Sequence, residues 1–142
     1  MSAPINFDEI QLVIDGISGG FDPDAMAVLN RVTGQMWLIS EHADEPEPPD
    51  GWDTDERYVE LPTRRDLGLG SETARRFAET HLPEHENTRR DIFSRQGAFR
   101  RWKSWLEQSG HLDAWYAFEA RSEREAIEWW CAEQGLTLQT AR

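Results

Sequence analysis

Apolar residues return every three or four positions in several stretches of this chain, and each such stretch predicts an amphipathic helix. Phe7, Ile10, Ile14 and Ile17 mark the first. Asn6, with Glu9 three residues on, comes close to a capping box at its start, and Gly19-Gly20 ends it. In the second half, Phe99, Trp102 and Leu106 fall at i, i+3 and i+7 after Gly97, with Ala98 and Trp105 widening the stripe. Ser109-Gly110 is the predicted stop, because glycine enters the left-handed conformation without the steric cost of a Cβ. Leu112, Trp115, Tyr116 and Phe118 form a further stripe, so the two helices fold into an antiparallel hairpin with aromatic side chains between them. A last helix is expected to begin at Ser122, with Glu125 completing a capping box, to bury Ala126, Ile127, Trp130 and Cys131, and to stop at Gly135.

Between these stretches the pattern is less regular. Thr63 with Asp66, and then Ser71, read as successive N-caps, and Arg76, Phe77, Thr80 and His81 belong to the helix that Ser71 starts. Pro83 closes that helix and opens the next, which carries Ile92 and Phe93. From Ala25 to Ile39 the residues favour strands, AMAVLNRV and QMWLI, around a hairpin turn at Thr33-Gly34. Neither strand alternates cleanly, which leaves the register open. Tyr58, Val59 and Leu61 predict a third strand, stopped by Pro62. Leu136-Thr137-Leu138 either adds a short edge strand or lies back on the core. The fold class is therefore α+β: a leading helix and small antiparallel sheet followed by a helical C-terminal half, around a single core. The expectation is one domain over 1–142, with 1–62 carrying the sheet and 63–142 the helices.

Composition supports a folded chain. At 142 residues, 38% hydrophobic and 11% aromatic with seven tryptophans, the mean hydropathy of -0.73 reflects a charged exterior. No apolar run spans a bilayer, and MSAPINFDEI lacks the basic start and apolar centre of a signal peptide, so a cytoplasmic location without membrane attachment is expected. The lone Cys131 excludes an internal disulfide and suits a small buried residue.

Charge changes the picture further. The net value is -12, and it is unevenly spread. Residues 41–56, EHADEPEPPDGWDTDE, hold eight acidic and no basic side chains with three prolines, which predicts an exposed loop. Trp52 is its one large apolar residue; it either pins the loop to the sheet or serves as an exposed contact, and the gain from burying a large ring favours the pin. Residues 57–103 carry eleven basic against seven acidic side chains. Overall acidity opposes non-specific nucleic-acid binding, although FRRWKSW is locally basic.

Catalytic motifs do not stand out. Asp50, Asp53 and Asp55 lack the spacing of a calcium loop. His81 and His85 with Glu84 and Glu86 have the flavour of a metal site, but Pro83 lies between them; His42 and His111 stand alone. Gly68 and Gly70 in DLGLGSET lack the lysine of a phosphate loop. LGLGSE with Arg75 and Arg76 could hold an anion at a helix start, and an ordinary capped helix explains it more simply. No Gly-x-Ser-x-Gly turn is present. Cofactors, metals and catalytic residues are accordingly not assigned.

The stretches RYVELP at Arg57–Pro62, followed by RRDL, FSRQGAF at Phe93–Phe99 and WYAF at Trp115–Phe118, with AIEWWCAEQGLTL downstream, occur in an order that resembles a family of small bacterial proteins catalogued as an uncharacterised protein family. The resemblance covers most of the chain and implies fold and bacterial origin. That family favours Phe followed by Lys-Asp in the central helix, where this chain has Trp102, Lys103 and Ser104, so a role for the acidic residue does not carry over. No catalytic residue is implied.

These readings favour a non-enzymatic interaction or regulatory protein that binds a protein partner or a second copy of itself. The candidate contacts are Trp52, Asp53, Asp55 and Glu56 on the acidic loop, and Arg95, Arg100, Arg101 and Lys103 on the basic helical face. The alternative is an RNA- or DNA-associated protein in which those cations meet phosphates while Trp102 or Trp105 stacks on a base. An uncharacterised enzyme is the third reading.

Overall fold

Asn6 turns the chain into its first helix, α1 (Phe7–Ser18), by accepting the Glu9 N–H on its side-chain oxygen at 3.0 Å. The computed structural model describes residues 4–19, 22, 24–41 and 46–139. Gly20 of the expected helix stop, and His42 with the neighbouring part of the acidic loop, lie outside the described residues. The remaining elements are β1 (Met26–Asn30), β2 (Met36–Ile39), β3 (Tyr58–Glu60), α2 (Ser71–His81), α3 (Glu86–Phe93), α4 (Ala98–Ser109) and α5 (Leu112–Glu133). This is the expected α+β class. The chain divides into two compact units, residues 1–67 with 127–142, and residues 68–126. Helix α5 begins in the second and ends in the first. Where the sequence predicts one core, the buried apolar side chains gather in two clusters, one within each unit.

In the first unit the sheet order is β2-β1-β3, antiparallel throughout. Ala27 and Leu29 of β1, with Met36, Leu38 and Val59 beside them, join Phe7, Ile10, Ile14 and Ile17 of α1 in the core. Val28, on the opposite face, is buried too, and the Trp37 and Tyr58 rings approach to 5.7 Å. A central strand covered on both faces has no reason to alternate, which explains the unclear pattern in the sequence. Asn30 organises the hairpin: its side-chain oxygen accepts the Val32 and Thr33 N–H groups at 2.8 and 3.1 Å, and Gly34 takes a φ of 79°. The chain end returns to the start, where Ile5 pairs with Leu138 as a single parallel bridge. Ile127, Cys131 and Leu136 complete this core.

The second unit is helical. Phe77, Trp102, Leu106 and Trp115 are fully buried at its centre. Phe77 meets Trp115 edge-on at 5.5 Å and Phe118 at 5.3 Å, while Trp102 meets Trp115 at 5.8 Å. Edge-to-face packing is the arrangement that ring quadrupoles favour. Gly97 and Gly110 bound α4 as the sequence predicts, and both adopt left-handed φ values, 70° and 81°.

Three local expectations are corrected. Ser122 starts no helix, because α5 runs unbroken from Leu112 to Glu133; AFEARSERE contains no glycine or proline to interrupt it, and good helix formers on both sides override a capping pattern. The N-cap of α2 is Gly70, with φ 97°, and Ser71 is the first helical residue. Thr63 and Asp66 do exchange bonds, Thr63 N–H to the Asp66 carboxylate at 3.0 Å and Asp66 N–H to Thr63 Oγ1 at 3.1 Å, but they close a turn, with Pro62 before them and Gly68 soon after.

Candidate interaction surface

In the acidic loop Gly51, with a φ of 81°, leads into a single 3-10 turn, Trp52–Thr54. That turn half-buries Trp52 and leaves Asp53 and Glu56 exposed. Asp55 is engaged differently. Its carboxylate accepts from the Arg57 guanidinium at 2.7 Å, and this hydrogen-bonded cation holds its pKa below the ordinary carboxylate range. Trp52, Asp53, Glu47, Pro48 and Asp50 line a shallow cleft together with Ile39, the last residue of β2. Loop and strand therefore share one surface feature.

Strand β2 also borders a second, more apolar cleft, lined by Leu12, Val13 and Gly16 of α1 and by Met36 and Leu38. Leu12 is 73% exposed. In the sequence Leu12 is an apolar residue off the Phe7-Ile10-Ile14-Ile17 stripe, the one signal of its exposure. Met36 and Leu38 carried none, since a strand's place at the edge of a sheet cannot be deduced from its own residues.

The ladder makes that edge specific. Asn30 N–H donates to the Gln35 carbonyl at 2.8 Å, and the register sets Val28 opposite Trp37 and Leu29 opposite Met36. Antiparallel pairs alternate between bonded and non-bonded. Trp37 and Ile39 consequently bond β1, while Met36 and Leu38 direct their N–H and C=O groups to the other side. Among the described residues no strand pairs there. Edge strands are ordinarily guarded by charge, proline or a bulge. The opposite edge, β3, has such guards in Glu60 and the nearby Pro62, whereas Met36-Trp37-Leu38-Ile39 has neither charge nor proline.

Charge is divided between the units as sharply as the core is. Residues 68–126 hold ten basic and ten acidic side chains, and the first unit holds five and seventeen, so the whole net charge of -12 falls on the unit that carries β2.

The basic candidates lie in the second unit and are not equivalent. Arg101 donates to the main-chain carbonyls of Ile92, at 3.1 Å, and Gln96. Arg95 pairs loosely with Asp91 at 3.6 Å. Lys103 lies over the Tyr116 ring at 5.9 Å, and Arg100 is exposed with no ion pair among the described residues. Trp102 is fully buried, so its ring is closed to a base; Trp105 stacks on it at 5.6 Å. Phe99 and Tyr116 are the exposed rings of this face, at 38% and 45%. His81 packs on Phe77 at 4.9 Å and His85 on Trp105 at 5.2 Å, which engages the two imidazoles with different rings. Among the described residues no group of three or more His, Cys, Asp and Glu side chains is placed to hold a metal ion. No described helix is long and apolar enough to cross a membrane.

Compared with known proteins, the chain matches no family model, no curated protein and no solved structure.

Proposed function

We propose that this chain is a non-enzymatic interaction protein that binds a protein partner through its acidic first unit. The observation that carries the reading is the unguarded edge of β2, bordered on one side by the exposed Leu12 and at its end by Trp52 and the acidic loop. Exposed apolar surface beside unsatisfied main-chain groups is what a protein partner uses and what an isolated chain tends to suppress. Binding by an RNA or DNA is the second reading, supported by Arg100, Lys103 and the exposed Phe99 and Tyr116. Against it stand the burial of Trp102 and the engagement of Arg101 by backbone carbonyls.

Affinity capture from host lysate at low salt, with and without nuclease, tests the reading. The expected result is a stoichiometric protein partner that survives nuclease, is lost with Leu12→Asp combined with Trp52→Ala, and is retained with Arg100→Glu. Recovery of nucleic acid that disappears with Arg100→Glu would move the function to the basic face of α4.

A further inference from the structure

We propose that the partner segment is an extended, basic, amphipathic stretch that adds to the sheet as a fourth strand beside β2. This rests on the protein-partner reading above and names the chemistry of what binds. Three observations support it independently of one another. First, the open main-chain groups belong to Met36 and Leu38, as the Asn30 to Gln35 bond and the register require. An incoming strand that bonds them gains a full ladder without any rearrangement of β1.

Second, the same two residues line the apolar cleft with Leu12, Val13 and Gly16. Alternate side chains of an added strand point to that face of the sheet. Apolar residues at every second position would meet Met36, Leu38 and Leu12, and Gly16, where an added Cβ would find open space, leaves room beside them.

Third, charge selects among occupants. Glu47, Asp50 and Asp53 flank the end of β2 at Ile39 and form no ion pair among the described residues, and the unit as a whole carries all of the net charge of -12. A second copy would bring the same negative charge against itself, and like charges across an interface disfavour the contact. Lys or Arg at the intervening positions of the incoming strand meets complementary potential instead. Strand addition of this kind takes affinity from main-chain bonds and specificity from alternate side-chain sites.

The test uses the full chain and a synthetic decapeptide library in which Lys or Arg alternates with Val, Ile, Leu or Phe. Bound members are selected, and one is remade with N-methyl groups on the amides of the edge it would offer. The expected outcome is protection of the Met36 and Leu38 amides from hydrogen exchange on binding, and affinity about tenfold or more weaker for the N-methylated peptide, which keeps its side chains and charge but cannot complete the ladder. An acidic peptide of the same pattern should not bind. The inference is overturned if no library member binds, if N-methylation leaves affinity unchanged, or if Met36 and Leu38 become protected through self-association of the chain without peptide. In each of those cases a partner captured from lysate and lost with Trp52→Ala would leave the broader protein-binding reading standing, and absence of any such partner would remove both.

Discussion

The guanidinium of Arg101 on α4 donates to the main-chain carbonyl of Ile92, at the end of α3, across 3.1 Å, and also reaches the Gln96 carbonyl. Carbonyls in the last turn of a helix have no partner within it and lie at the negative end of its dipole, so a cation there is doubly favoured. With Gly97 turning the chain between them at φ 70°, Arg101 ties the start of one helix to the end of the previous one.

Removing that tie has a measurable cost. Arg101→Ala should lower the unfolding free energy by about 1–2 kcal/mol, the range of one or two charge-assisted bonds at a half-exposed site. Arg101→Lys should recover only part of it, because a single ammonium does not reproduce the planar fork. Urea denaturation followed by tryptophan fluorescence gives both values, and an unchanged midpoint would show that water satisfies those carbonyls equally well.

Phe77 is the ring on which the second core depends. It is fully buried and touches His81, Trp102, Trp115 and Phe118. Phe77→Ala should cost about 3–5 kcal/mol through lost transfer energy and the cavity left behind. The near-ultraviolet circular dichroism of Trp102 and Trp115 should weaken with it. Retention of both stability and that signal would contradict the packing described.

Ser122 provides a sharp test of helix continuity. As an N-cap it would resist replacement, and Ser122→Ala would cost roughly 1 kcal/mol. Inside the unbroken α5, alanine is the better helix former, so the expected outcome is neutral or a gain of a few tenths of a kcal/mol. Thermal denaturation of the variant distinguishes the two signs.

Cys131 should be inert in the native state. Burial pushes its thiol from 9.0 up to about 11, because a thiolate in an apolar core loses its hydration. A disulfide reagent at pH 8 should therefore react only as fast as the chain opens. The pH dependence follows from the same shift. The folded state holds this proton more tightly than the unfolded state, so the group's contribution is complete below about pH 9 and is lost as pH rises from there through the folded value of about 11. Cys131→Ala should flatten that alkaline fall in stability, which denaturation midpoints at pH 8 and pH 10 would reveal.

Much of the fold is legible from local chemistry. Asn6 caps α1, Gly34 turns the hairpin, and Gly97 and Gly110 bound α4, since each rests on the backbone freedom or side-chain reach of one residue and its near neighbours. Trp102 and Leu106 of α4 and Trp115 of α5 are buried for a similar reason, since helical spacing places such residues on one face of each helix, whereas Phe99 and Tyr116 of the same predicted stripes stand exposed. Ser122 misleads because the same serine-to-glutamate spacing serves a cap or a helix interior, according to what precedes it. The sites were less legible. Arg100, Arg101 and Lys103 are neighbours in sequence, yet one is exposed, one holds carbonyls and one lies over a ring.

What the sequence determines by itself is thus most of the elements and the main apolar face of most helices, because these depend on interactions over a few residues. Tertiary structure decides that the buried side chains form two clusters, that the net charge falls on one of the two units, and that β2 is an edge with the main-chain groups of Met36 and Leu38 turned outward. Those outcomes depend on which strand lies beside which and which distant segments meet, as when Leu138 returns to Ile5, and no local pattern encodes a neighbour so far along the chain.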